Sequence, residues 1–203
     1  MRVLLISNSL SHNIVEPIGE NLASNGHEVT LIRHPLTRSD DRRTIHVVSA
    51  GEIRLLRQKY IRARPPFSYF FDLFWPVTLS NFEVVISFAC HNTLRALWLR
   101  RLQRVKYVIH WNIDFSPRRF SSSFANRLYD SLDKFAVQNS DAHFELTETA
   151  LLARLSRYVM SRRDTDLVAP VGIESNRVPT VDVMRFEKKK IVVIGRTNVP
   201  ETE

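Results

Sequence analysis

A chain of 203 residues, 44% hydrophobic and 25% charged, has the composition of a soluble globular protein with a sizeable core, in one large or two small α/β domains. Its net charge of +8 points outward, to nucleic acid, to an anionic membrane surface, or simply to solvent. The single cysteine, Cys90, excludes an internal disulfide and suits a reducing compartment, and the short apolar run at the N-terminus is neither a signal peptide nor a membrane span.

The apolar run Val3-Leu4-Leu5-Ile6 predicts a buried parallel strand, followed by a polar turn over Ser7 to Asn13. Ile14, Ile18 and Leu22 then share one helical face. Pro17 suits the first turn, so the helix is expected to start near residues 13 to 16, and Gly26 is placed to end it. Val29 to Ile32 follows as a second strand, which makes a βαβ unit with a right-handed crossover. Further strands are expected at Thr44–Ser49, Val84–Ser87, Tyr107–Ile109, Ala142–Leu146 and Leu167–Ala169. Helices are expected around Leu94–Leu102 and Phe124–Ala136, and from Leu151 to Tyr158 behind a Thr147 cap. This alternation defines an α/β fold with a doubly wound, mostly parallel, Rossmann-like sheet over residues 1–174. Residues 175–187 carry no sustained periodicity and read as a linker. From 188 the opening pattern restarts, Lys188-Lys189-Lys190 and then Ile191 to Ile194, as the first strand of a second α/β domain over 188–203.

Ligands of such sheets sit at the carboxyl ends of the strands. After the first strand, Ser9, Ser11, His12 and Asn13 lead into a helix N-terminus that can hold an anion, without a dinucleotide or P-loop glycine pattern. Cys90 and His91 are adjacent after the fourth strand, but neighbouring side chains there point apart and Cys90 reads as packing. After the fifth strand come His110, Trp111, Asn112 and Asp114, a polar and aromatic set able to stack and hydrogen-bond a sugar. His110 or Asp114 is a candidate base for an attacking hydroxyl. Two such groups are too few for a metal, so none is expected.

Between the third and fourth strands Arg54, Arg57, Lys59, Arg62 and Arg64 interleave with Leu55, Leu56, Tyr60 and Ile61, and Phe67 to Trp75 follow. The pattern predicts a basic amphipathic helix suited to an anionic membrane interface. Basic and aromatic residues also suit single-stranded nucleic acid, although no RNP, KH or helix-turn-helix pattern is present.

Four segments, MRVLLISNS with IGENLASNGHEVTLI, then YVIHWNIDFSPRRF through SDAHFELTETA, then APVGIESNRV, and lastly KKKIVVIGRTNVPETE, resemble in that order the family-four retaining glycosyltransferases of GT-B fold. The resemblance implies the acceptor-side half of a two-domain transferase for cell-surface polysaccharide. A nucleotide-sugar donor is the co-substrate, the acceptor is lipid-linked or another saccharide, and no cofactor or metal is involved. It implies that His110, Asn112 and Asp114 line the cleft, that Ser9 to Asn13 approach the ligands, and that Arg196 contacts the donor diphosphate. The glycine pair of the first loop and the lysine usual after Arg196 are absent. The family's paired glutamates are not found, so the chain alone is expected to be inactive. A cytoplasmic protein, peripheral on the inner face of the plasma membrane, is implied. A nucleic-acid-binding α/β module and a non-catalytic partner subunit are the alternatives.

Overall fold

The computed structural model describes residues 1–8, 12–34, 42–49, 52–60, 81–113, 116 and 118–170. In chain order the elements are β1 (Arg2–Asn8), α1 (His12–Ser24), β2 (Glu28–His34), β3 (Arg42–Ser49), β4 (Glu52–Tyr60) and β5 (Phe82–Phe88), and then α2 (Cys90–Arg101), β6 (Val105–Asn112), α3 (Ser123–Asn139), β7 (Ala142–Glu145), α4 (Glu148–Tyr158) and β8 (Asp166–Val168). The eight strands form one sheet in the order β4-β3-β2-β1-β5-β6-β7-β8. From β2 to β8 all neighbours are parallel, while β3 runs antiparallel to both β2 and β4.

Alternation along β1 decides which face each helix takes. Val3 and Leu5 join Val29, Leu31 and Val48 beneath α1, which contributes Val15, Ile18, Leu22 and Ala23. Leu4 and Ile6 turn to the other face and pack with Ile32, Val85, Val108 and the α2 residues Ala96, Leu97 and Leu99. Both faces of the strand are therefore apolar, as a central parallel strand requires. The chain leaves β1 toward β2 over one face and leaves β5 toward β6 over the other. This is a doubly wound, Rossmann-like α/β sheet with its strand order reversing between β1 and β5.

Helix ends follow capping chemistry. Gly26, at φ 80°, ends α1, with the Gly26 N–H donating to Ala23 O (2.9 Å) and the His27 N–H to Leu22 O (3.1 Å). Thr147 caps α4 as expected, its Oγ1 accepting from the Ala150 N–H at 3.1 Å. Because α1 begins at His12, Pro17 falls in the second turn instead of the first, which leaves α1 one hydrogen bond short there.

The basic segment departs from expectation. Residues 52–60 form β4, an edge strand, where an amphipathic helix was predicted. Only two residues, Ala50 and Gly51, separate β3 from β4, and β3 supplies the backbone partners from Arg42↔Tyr60 to Ser49↔Glu52. A bulge at Ile45/His46 admits the extra residue that spoils strict alternation and imitates a helical repeat. Arg62 and Arg64, the aromatic run 67–75, the linker and the second apolar run with Arg196 lie outside the described residues. Among the described residues, no helix is long and apolar enough to cross a membrane.

Candidate functional site

The strand order reverses between β1 and β5, the point in such folds where a crevice forms at the carboxyl edge of the sheet and ligands bind. Asn8 ends β1 and is buried. Its Oδ1 lies 2.8 Å from His91 Nε2 and accepts from Asn92 Nδ2 at 3.2 Å. Asn92 Nδ2 also donates to Phe88 O at 2.5 Å, tying the end of β5 to the first turn of α2. Between them Ala89 holds φ 71° and ψ 154°, a region that only glycine enters without strain. Ala89 also stands at the N-cap of α2 with no side-chain cap, so the first N–H groups of that helix meet the crevice without a capping side chain. Described groups at this edge include the Asn8 and Asn92 amides and the His91 imidazole, with Arg33 and His34 at the end of the neighbouring β2 and Arg95 3.2 Å from the His34 ring.

Beside the crevice, under α3 and α4, lies a buried polar network. His110 is fully buried, with Nδ1 2.5 Å from Thr93 Oγ1 and Nε2 2.7 Å from Asn112 Nδ2. Asp133 Oδ1 lies 3.5 Å from the same Nε2. Burial lowers the His110 pKa below that of a free histidine, and the neighbouring Asp133, which opposes the shift, is outweighed. The ring is therefore neutral. Arg154 donates to Asp133 through Nη1 and to Glu145 through Nε, and all three side chains are buried. Tyr158 donates to Asp133 at 2.5 Å. Burial alone would raise the Asp133 pKa, but the His110 hydrogen bond, the Arg154 charge and the Tyr158 hydroxyl together hold it well below the usual carboxylate range. His143 stacks on His110, with centroids 5.5 Å apart, and sits 3.0 Å from Glu145 Oε1. The arrangement can position protons and fix β6 and β7 against two helices, but it offers no open coordination position to a substrate.

The residues singled out by sequence fall in different places. His110, Trp111 and Asn112 belong to β6 itself and do not follow it. Strand alternation therefore separates them: His110 and Asn112 face α2 and α3, whereas Trp111 turns to the opposite face. There Trp111, 9% exposed, stacks on Phe88 and meets Phe144 edge-on, both with centroids 5.5 Å away. It packs in the core and is not an open platform for a sugar ring. His110 likewise has no exposed edge. His12 and Asn13 open α1, but only their backbone is described; Ser9, Ser11, Asp114 and Arg196 lie outside the described residues. Arg54 and Arg57 are exposed on β4, and Lys59 is described by its backbone alone. Cys90 is buried and its thiol is pushed up to about 12, by burial and then by Asp133, in keeping with a packing role.

Sequence reasoning missed Asn8, Asn92, Thr93, Asp133, Glu145 and Arg154. The last two charges on helices carried a readable signal. Asp133 lies among Tyr129, Ala136 and Val137, and Arg154 among Leu151, Leu155 and Tyr158, so each breaks an apolar helical face. Among the described residues no group of three or more His, Cys, Asp or Glu is arranged to hold a metal ion.

No protein-family model matches the chain, and no curated protein matches it. Among solved structures, the crystal structure of a DUF4886 family protein from Bacteroides uniformis ATCC 8492 is similar at 11% identity and a TM-score of 0.33. The match covers 70% of this chain and 66% of that one, just under two thirds. A likeness at that score carries no argument about activity.

Proposed function

We propose that this chain is the acceptor-side domain of a retaining glycosyltransferase of GT-B type. On this reading it serves transfer of a sugar from a nucleotide-sugar donor to a saccharide acceptor carried on lipid, in cell-surface polysaccharide synthesis. The observation that carries the proposal is the crevice between β1 and β5, where Asn8, His91 and Asn92 gather beside the uncapped start of α2. Amides and an imidazole hydrogen-bond hydroxyl groups in both senses. The ordered resemblance to family four supplies the reaction class, and with it the nucleotide-sugar as substrate and no cofactor. His110 is given a positioning role through Thr93 and Asn112, and Arg196 the donor diphosphate. Arg54 and Arg57, exposed on the outermost strand, are the described members of the basic segment assigned to an anionic membrane surface. That assignment sets the protein at the cytoplasmic face of the membrane.

Saturation-transfer NMR tests the crevice directly, using a panel of free and diphosphate-linked saccharides. Contact with at least one saccharide is expected, and Asn8→Ala should abolish it. Loss of all contact in the wild-type chain, or an unchanged signal in N8A, overturns the reading. Tight, salt-steep binding of single-stranded DNA in place of saccharide would favour a nucleic-acid module instead.

A further inference from the structure

The first half of α3 and the end of α4 border an open cavity of about 350 Å³, lined by Arg118, Ser123, Asn126, Arg127, Asp130 and Arg157. Three guanidinium groups face a single carboxylate. Arg157 grips that carboxylate in a fork, Nε to Oδ1 at 3.1 Å and Nη2 to Oδ2 at 2.5 Å, which fixes its plane. The guanidinium groups of Arg118 and Arg127 have no hydrogen-bond or ion-pair partner among the described residues.

Their placement is built. Asn126 Oδ1 accepts from the N–H groups of Arg119 (3.0 Å) and Phe120 (2.9 Å), and its Nδ2 donates to the carbonyls of Phe120 (2.6 Å) and Ser122 (3.1 Å). These four bonds tie the segment bearing Arg118 to the first turns of α3. Arg119 adds a cation–π contact, 4.8 Å above the Tyr129 ring. Ser122 caps α3, and Ser123, its first residue, lines the cavity, so the positive end of the helix dipole lies at the same place as Arg118 and Arg127.

The two helices that line the cavity also expose apolar side chains where water-facing positions would be polar. Phe124, Leu128 and Phe135 fall on one line of α3 at i, i+4 and i+11, and Phe124 is 77% exposed. On α4 Leu152 is exposed, and Val159, just past its end, is 92% exposed.

We propose that this cavity is a phosphate-binding site, and that the phosphate it takes belongs to a lipid headgroup at a membrane surface. A lone carboxylate is satisfied by one guanidinium fork, whereas a phosphate presents enough oxygens for several guanidinium groups together. The exposed line of Phe124, Leu128 and Phe135 is the feature that selects lipid over free phosphate, because it gives the acyl boundary something to bury. The site shares no lining residue with the crevice, and its test does not depend on sugar transfer.

Two assays separate the sources. Titration calorimetry measures binding of inorganic pyrophosphate. Co-sedimentation measures binding to phosphatidylcholine vesicles with and without phosphatidylglycerol. The wild-type chain should bind pyrophosphate and sediment only with the anionic vesicles. The double variant R118A/R127A should weaken both by about tenfold or more. Phe124→Ser should weaken vesicle binding and spare pyrophosphate. Replacing two arginines at the end of α2 and just past it, as R101A/R104A, removes the same charge elsewhere and should change neither. Unaltered melting of R118A/R127A confirms that its fold is intact. Pyrophosphate binding that R118A/R127A loses, without vesicle binding, supports the site and overturns lipid as its source. The site itself is overturned if the wild type binds neither probe, if R118A/R127A binds both normally, or if R101A/R104A loses as much.

Discussion

Replacing Arg154 by methionine is the sharpest test of the buried network. Methionine keeps much of the side-chain length and removes the charge that two carboxylates share. Asp133 and Glu145 are almost completely buried, so no solvent screening discounts the loss. Removing one partner of a buried ion pair costs about 3–5 kcal/mol, because the remaining charge stays desolvated. For a domain of this size about 1 kcal/mol lowers Tm by roughly 2–4 °C, so R154M should melt roughly 6–20 °C below wild type at pH 7. The pH dependence carries a second, independent sign. In the wild type the folded pKa of Asp133 lies below its ordinary value near 3.8, so its stabilisation is present above that value and is lost as pH falls toward the folded pKa. In R154M the Arg154 contribution to that depression is lost while the His110 and Tyr158 hydrogen bonds remain, so the Asp133 pKa rises. The variant is then relieved as Asp133 takes up its proton at a higher pH than in the wild type. The gap between the two should therefore narrow from pH 7 to pH 4. Thermal melts followed by circular dichroism measure both effects. A gap of under about 2 °C at pH 7, or one that widens on acidification, refutes the reasoning.

Other substitutions read single features. Ala89→Gly should gain about 1 kcal/mol in urea unfolding, since glycine adopts φ 71°, ψ 154° without the strain that alanine bears. Val159 ends α4 at φ 52°, with the Met160 N–H donating to Leu155 O at 2.9 Å; Val159→Gly should likewise gain about 1 kcal/mol, and a loss would refute the left-handed cap. Thr147→Ala should lose about 1 kcal/mol by leaving the Ala150 N–H uncapped, and Thr147→Ser should restore most of it. With nucleotide-sugar donors and lipid-linked acceptors the 203-residue chain should give no turnover, and product formation in a radiolabel-transfer assay would overturn the half-enzyme reading.

Most of the architecture was legible because it rests on local periodicity. Val3 to Ile6 and Val29 to Ile32 are β-branched or leucine runs of strand length, and the intervening helix has its apolar stripe and a terminal glycine. Thr147 announces α4 by the hydroxyl that its start needs. The failure at β4 has a definite cause. In E-I-R-L-L-R-Q-K-Y the bulge places Leu55 and Leu56 side by side between two arginines, and that spacing fits a helix as well as a strand. What decides for the strand is β3, whose antiparallel partner positions are not local information.

The candidate site was legible in its location and not in its membership. Strand ends are visible in sequence, so attention fell on the loops after β1, β5 and β6. Which side chains meet there depends on strand parity and on distant partners. Extending β6 by three residues beyond Ile109 sends Trp111 to one face and His110 and Asn112 to the other, so one cluster in sequence becomes two environments in space. Asn8 finds His91 and Asn92 more than 80 residues away. Arg154 and Asp133 instead belong to a class that a sequence can disclose: a charge lodged inside an otherwise apolar helical stripe needs an opposite charge from another element. Two such intrusions of opposite sign, on consecutive helices of a doubly wound sheet, predict each other.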